Sequence, residues 1–222
     1  MTPLETWNLY NDFMLWGGLD RFTKLLARYE LFKMVMDKPG DIVEAGVLKG
    51  AGLLFWAKLI QIYNPLSRRK VIGFDTFEGY PSGSSREYDN QTAQRFTQEQ
   101  IASLDVVSEQ SILDAATAQG LAHRIELVKG DARQTVENYV QAKPGFRVAL
   151  LNLDFVLFEP TEASLRHLLP RVIHGGVIAL DEYAVGDKGE SEAVDILLRG
   201  QDITLQSFPW AKSPTAYFIK KD

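Results

Sequence analysis

Short apolar runs alternate with amphipathic stretches along most of this 222-residue chain, and no other feature limits its fold so strongly. The runs lie at residues 42–46, 71–75, 124–128, 148–154 and 177–181. Each has the length and the branched or aromatic content of a strand. Between and after them, residues 53–62, 93–119 (broken once), 132–141, 161–169 and 191–199 carry helical spacing. The run at 148–154 is apolar at nearly every position, as in a strand buried on both faces of a parallel sheet. Repeated strand–helix units build a sheet with helices on both sides.

The pattern changes near the C-terminal end. Residues 204–210 and 216–220 read as two strands joined by residues 211–215, with no room for a helix. Parallel neighbours need a crossover of about a dozen residues or more, so this pair is expected to be an antiparallel hairpin. Five β–α units closing on such a hairpin resemble the chain order of the Rossmann-like class I methyltransferase fold. The expected sheet has seven strands, mostly parallel. Residues 1–40 read as an N-terminal helical cap and 41–222 as the α/β domain. The cap is crowded with Trp7, Tyr10, Phe13, Met14 and Trp16. It covers a sheet edge or a dimer interface on the simpler reading, and a small-molecule site on the sharper one.

Composition narrows the chemistry. The chain has no cysteine, which excludes disulfides, thiolate metal sites and a cysteine nucleophile. Its net charge is −5, with no block of lysine or arginine, which argues against a nucleic-acid or anionic-membrane binder. No apolar run reaches membrane-spanning length, and residues 1–16 lack the basic-then-apolar pattern of a signal peptide. The expected location is cytoplasmic. His123, His167 and His174 have no metal-ligand spacing.

The strand ends carry the polar signals. The first run ends in Glu44-Ala45-Gly46-Val47-Leu48-Lys49-Gly50, where glycines permit a sharp turn and a close approach of backbone N–H groups to a ligand. The spacing is not the G-x-G-x-x-G of a dinucleotide cradle. An acidic residue before the turn repels phosphate and suits a cationic amino-acid ligand such as the methionyl end of S-adenosylmethionine. Asp75, ending the second run, matches a ribose diol, or else it is a turn or capping aspartate. Asp131, in Gly130-Asp131-Ala132, matches an adenine amino group or caps the following helix. Thr76 and Ala132 adjoin these aspartates and join the expected cofactor contacts. Asp154 ends the fourth run, and Asp181 and Glu182 end the fifth. Three carboxylates without histidine suit Mg²⁺ or a similar hard cation, unless they cap loops.

Longer segments carry a resemblance. Gly40-Asp41-Ile42-Val43-Glu44-Ala45-Gly46-Val47-x-Lys49-Gly50, Gly73-Phe74-Asp75-Thr76-Phe77-Glu78-Gly79-Tyr80-Pro81, Leu153-Asp154-x-x-Leu157-Phe158-Glu159-Pro160-Thr161 and Gly175-Gly176-Val177-Ile178-x-x-Asp181-Glu182-Tyr183 resemble motifs of the macrocin/novobiocin-type (TylF-type) sugar O-methyltransferases. The resemblance implies S-adenosylmethionine as methyl donor, a small hydroxylated acceptor, usually a sugar, and Mg²⁺ held by Asp154, Asp181 and Glu182. One position departs from it. The family's segment has an aspartate at 156, proposed to take the acceptor's proton, and this chain has Val156. Three outcomes are open. Glu159, Asp154 or a metal-bound hydroxide acts as the base; the acceptor needs none; or the protein binds the cofactor without turnover. A nicotinamide-dependent Rossmann enzyme and a nucleic-acid methyltransferase are weaker rivals. The 78–92 loop is a candidate substrate lid.

Overall fold

A computed structural model describes residues 2–81, 83–96, 98, 108–186 and 188–221. Among these, six strands form one sheet: β1 (Asp41–Ala45), β2 (Val71–Asp75), β3 (Ile125–Lys129), β4 (Val148–Leu153), β5 (Val172–Leu180) and β6 (Ala216–Ile219). The order across the sheet is β3-β2-β1-β4-β5-β6. All pairs are parallel except β5 with β6. The helices are α1 (Pro3–Trp16), α2 (Leu19–Val35), α3 (Ala51–Tyr63), α4 (Glu87–Phe96), α5 (Glu109–Ala118), α6 (Ala132–Ala142), α7 (Phe158–Leu168) and α8 (Glu190–Leu197).

The expectation of seven strands is corrected to six, and the hairpin goes with it. Residues 204–210 form no strand; only Gln206 pairs there, exchanging both backbone hydrogen bonds with Tyr217 at 2.8 Å. Pro209 has no N–H to give a ladder, and most of the segment faces solvent. β6 instead lies antiparallel along β5, pairing Val177 with Ile219 and Leu180 with Ala216. The 78–92 segment is also not all loop, because α4 begins at Glu87. The expected break within 93–119 falls largely on residues outside the described set.

Helices cover both sheet faces. Leu31, Phe32 and Val35 of α2 pack with Trp56 and Ile60 of α3 and Ile112 of α5 on one side. Val136 and Val140 of α6, Leu165 and Leu168 of α7 and Val194 of α8 fill the other. α2 is therefore a layer of the core lying against β4 and β5, rather than a cover over a sheet edge. α1 shows Trp7, Leu15 and Trp16 to solvent. No helix among the described residues is long and apolar enough to cross a membrane.

The strand order reverses between β1 and β4. Chains leaving the C-terminal ends of these neighbours diverge, and open α/β sheets bind ligands in the crevice so formed.

Candidate active site

A cavity of about 510 Å³ opens at this reversal, within the usual range for a small-molecule site. Its walls come from α2, the turn after β1, the segment after β2, and the ends of β4 and β5.

The turn after β1 is built for close approach. Gly46 has φ +99°, and a Cβ there would stand 2.2 Å from the Asp154 carbonyl oxygen, which leaves room only for glycine. Gly50, at φ +78°, starts α3 without a side-chain cap. Asp75 holds the turn in shape. Its Oδ2 accepts the N–H groups of Val47 (2.8 Å) and Leu48 (2.9 Å), and its Oδ1 accepts that of Phe77 (2.8 Å). The Thr76 hydroxyl donates to the Gly79 carbonyl. Both side chains line the cavity.

Glu44 is buried at the end of β1 and also lines the cavity. Its Oε1 accepts from Arg28 at 3.0 Å, while its Oε2 is buried with no hydrogen-bond partner. Burial pushes its pKa up to about 7, although Arg28 and Lys24 pull it down. A buried carboxylate oxygen without a donor fits a ligand ammonium.

Asp131 caps α6, accepting the Arg133 N–H at 2.9 Å, and also pairs with the Arg133 guanidinium. Its carboxylate is thus occupied as the capping alternative anticipates. The cavity wall beside it is made by Gly130 and Ala132.

Glu159 lies off the cavity wall. Its carboxylate accepts from the Ser85 N–H (2.8 Å), the Ser85 hydroxyl (2.6 Å) and Arg133 (2.9 Å). Burial works to raise its pKa, but Ser85 and Arg133 outweigh that and hold it below the ordinary value. It fastens the start of α7 to residues ahead of α4. Val156 does line the cavity, buried and at φ +70°, a conformation unusual for a β-branched residue.

Asp154 and Asp181 come together as their strand ends predict, but on an ammonium. Lys24 Nζ on α2 donates to Asp154 Oδ2 (3.0 Å) and Asp181 Oδ2 (2.8 Å). Arg28, one turn on, stands 3.5 Å from the same Asp154 oxygen. Burial works against the charge on Lys24, but Asp154 and Asp181 hold its pKa above the ordinary lysine value. Burial and the nearby Asp181 raise the Asp154 pKa well above its ordinary value. Burial opposes ionisation of Asp181 too, yet Lys24 and Arg28 keep its pKa low. Asp154 is therefore the more basic carboxylate of the two.

Glu182 does not join them. It lines the cavity, and its backbone N–H donates to the buried Glu190 at 3.0 Å. Among the described residues, no group of three or more histidines or carboxylates is arranged to hold a metal ion. Two cations face the two aspartates, so a divalent ion would meet repulsion where it was expected to find ligands. The residues as arranged do not fit Mg²⁺.

Sequence reasoning missed Lys24 and Arg28. Both had a signal: residues 24 and 28 continue, at four-residue spacing, the buried stripe of Leu31, Phe32 and Val35. Cations on an otherwise apolar stripe need buried partners.

Residues 18–206 match the family model described as macrocin O-methyltransferase (TylF). The chain belongs to this family. One relative is the 8-demethyl-8-(2,3-dimethoxy-alpha-L-rhamnosyl)-tetracenomycin-C 4'-O-methyltransferase of Streptomyces olivaceus. It is 29% identical over 66% of this chain and 54% of its own length. Such curated relatives are longer, and this chain spans about half of each. A similar fold is seen in the crystal structure of CalS11, described as a calicheamicin methyltransferase. It has 29% identity and a TM-score of 0.77, covering 100% of this chain and 88% of that one. The apo structure of CalS11, described as a TDP-rhamnose 3'-O-methyltransferase, has a TM-score of 0.73 at 29% identity over 100% and 89% of the two chains. This chain shares the class I methyltransferase fold with these structures.

Proposed function

We propose that this protein transfers a methyl group from S-adenosylmethionine to a hydroxyl of a small sugar acceptor, free or carried on a nucleotide or natural product. The observation that carries the reading is the unpartnered Glu44 carboxylate oxygen beside a glycine turn held open by Asp75. Family membership and the sugars named for its relatives support it.

In this reading Glu44 takes the methionyl ammonium, and Gly46 and Gly50 let the backbone approach the rest of that group. Asp75 and Thr76 hold the ribose, while Gly130, Asp131 and Ala132 border the adenine. The bound donor supplies an electrophilic methyl carbon. The chain's work is to align the acceptor oxygen with it and take away the acceptor's proton. Asp154 is the fitted group for that proton, since it lines the cavity and its pKa is raised. Glu159 is placed and charged for structure. The Mg²⁺ that the family resemblance implies is not carried into this reading, because cations of the chain already face Asp154 and Asp181.

The test is calorimetric titration with S-adenosylhomocysteine, followed by a methyl-transfer assay with TDP-rhamnose as the probe acceptor. Binding by the native protein and its loss in Asp75→Ala support the reading. No binding by the native protein overturns it. Binding without transfer to any sugar tried would favour a non-catalytic relative, the reading that Val156 motivates.

A further inference from the structure

We infer that Lys24 is the resident cation of the acceptor subsite, so that methyl transfer on this scaffold proceeds without a divalent metal. The inference rests on the methyltransferase reading and adds to it the residue that stands in for the metal.

Three observations converge. The Lys24 ammonium sits between the two strand-end carboxylates, 3.0 Å from Asp154 and 2.8 Å from Asp181. It lines the cavity, on the side where β4 and β5 end. Two of its N–H bonds are committed to these aspartates, and the third has no acceptor among the described residues. An ammonium has three donors and no acceptor, so one donor remains for an incoming oxygen. Arg28 reinforces the arrangement by pairing with Glu44 and approaching Asp154, which spaces the carboxylates around fixed positive charge.

The chemistry balances without a metal. As the acceptor oxygen attacks, its proton passes to the Asp154 carboxylate. A bond forms between that oxygen and the methyl carbon, the carbon–sulfur bond breaks, and its electron pair stays on sulfur. The sulfonium charge disappears and the Asp154 charge is neutralised, so net charge is conserved. The third N–H of Lys24 stabilises negative charge growing on the acceptor oxygen, in a cavity where a fixed donor needs no reorganisation.

The experiment uses the full chain in three parallel measurements. The first titrates Mn²⁺ into the native protein with S-adenosylhomocysteine present, read by electron paramagnetic resonance. No site-bound Mn²⁺ is expected, and stoichiometric Mn²⁺ binding blocked by Asp154→Asn overturns the inference. The second compares methyl transfer to TDP-rhamnose with and without EDTA. Equal rates are expected, and loss of rate restored by Mg²⁺ overturns it. The third uses Lys24→Met and Lys24→Arg. Lys24→Met is expected to lower kcat on the order of 100-fold, and Lys24→Arg to recover part of it. Unchanged kcat in Lys24→Met overturns the inference. If Lys24→Met does not fold, the two native-protein measurements still decide. A native protein that binds no S-adenosylhomocysteine sinks the methyltransferase reading itself, whereas Mn²⁺ binding alongside intact S-adenosylhomocysteine binding sinks only the role of Lys24.

Discussion

The Cα of Gly46 faces the main chain of Asp154 so closely that an added Cβ would lie 2.2 Å from the Asp154 carbonyl oxygen. The first glycine of the turn and the chain leaving β4 are thus fitted to each other, with φ +99° at Gly46 as a second constraint. Gly46→Ala is expected to destabilise the protein by about 3 kcal/mol or more, through a clash with backbone and a strained φ. Gly83→Ala is the control: φ is +78° there, but nothing lies within 4 Å of the added carbon. It should cost only about 1 kcal/mol. Thermal unfolding of both variants measures the difference, and equal losses would contradict the close fit.

Asp75 accepts three backbone N–H groups from two separate segments. Hydrogen bonds to a charged acceptor contribute about 1.5–3 kcal/mol each, so Asp75→Asn should weaken the turn even though the shape is kept. S-adenosylhomocysteine affinity should fall by about tenfold or more in Asp75→Asn, and further in Asp75→Ala. Calorimetry reads both, and wild-type affinity in Asp75→Asn would show that the turn does not need the charge.

Glu44 gives a pH dependence with a definite sign. Its pKa, raised by burial to about 7, leaves it largely protonated below neutrality and ionised above. A ligand ammonium binds the ionised form. S-adenosylhomocysteine affinity should therefore rise by about tenfold between about pH 6 and about pH 8. Glu44→Gln should flatten that slope, and a slope that survives the substitution would assign it to another group.

Asp154 and Glu159 separate as candidate bases. Asp154→Asn removes the proton acceptor at the cavity and should lower kcat by about 10²–10⁴-fold. Glu159→Gln loosens the contacts to Ser85 and Arg133 and should lower stability while leaving kcat within about threefold. Turnover in both variants checks the assignment, and the reverse ranking would return the base role to Glu159.

Much of the architecture was legible because it is written locally. The five runs become β1 to β5, since apolar strand-length segments separated by helix-length ones have few other ways to bury themselves. Val148–Leu153 is buried at every position, as its apolar content required. β5 begins earlier than its second half suggested, at Val172, and carries Gly175 and Gly176 inside it. Its register against β4 shifts there, between Val148 and Leu150. The segment 204–210 looked like a strand because its residues have strand propensity. Propensity does not supply a partner, and the edge position beside Tyr217 provided only one bridge.

By itself, then, the sequence determined the α/β layering, the glycine turn after β1 and the placement of Asp75, Asp154 and Asp181 at strand ends. These follow from side-chain periodicity and backbone geometry over a few residues. Only the tertiary structure decided what those carboxylates meet. Lys24 lies 130 residues from Asp154 and 157 from Asp181 in the chain. No local pattern encodes that distance. It is set by α2 laying its buried stripe on β4 and β5, which carries the two cations at the head of that stripe over the strand ends and into the cavity.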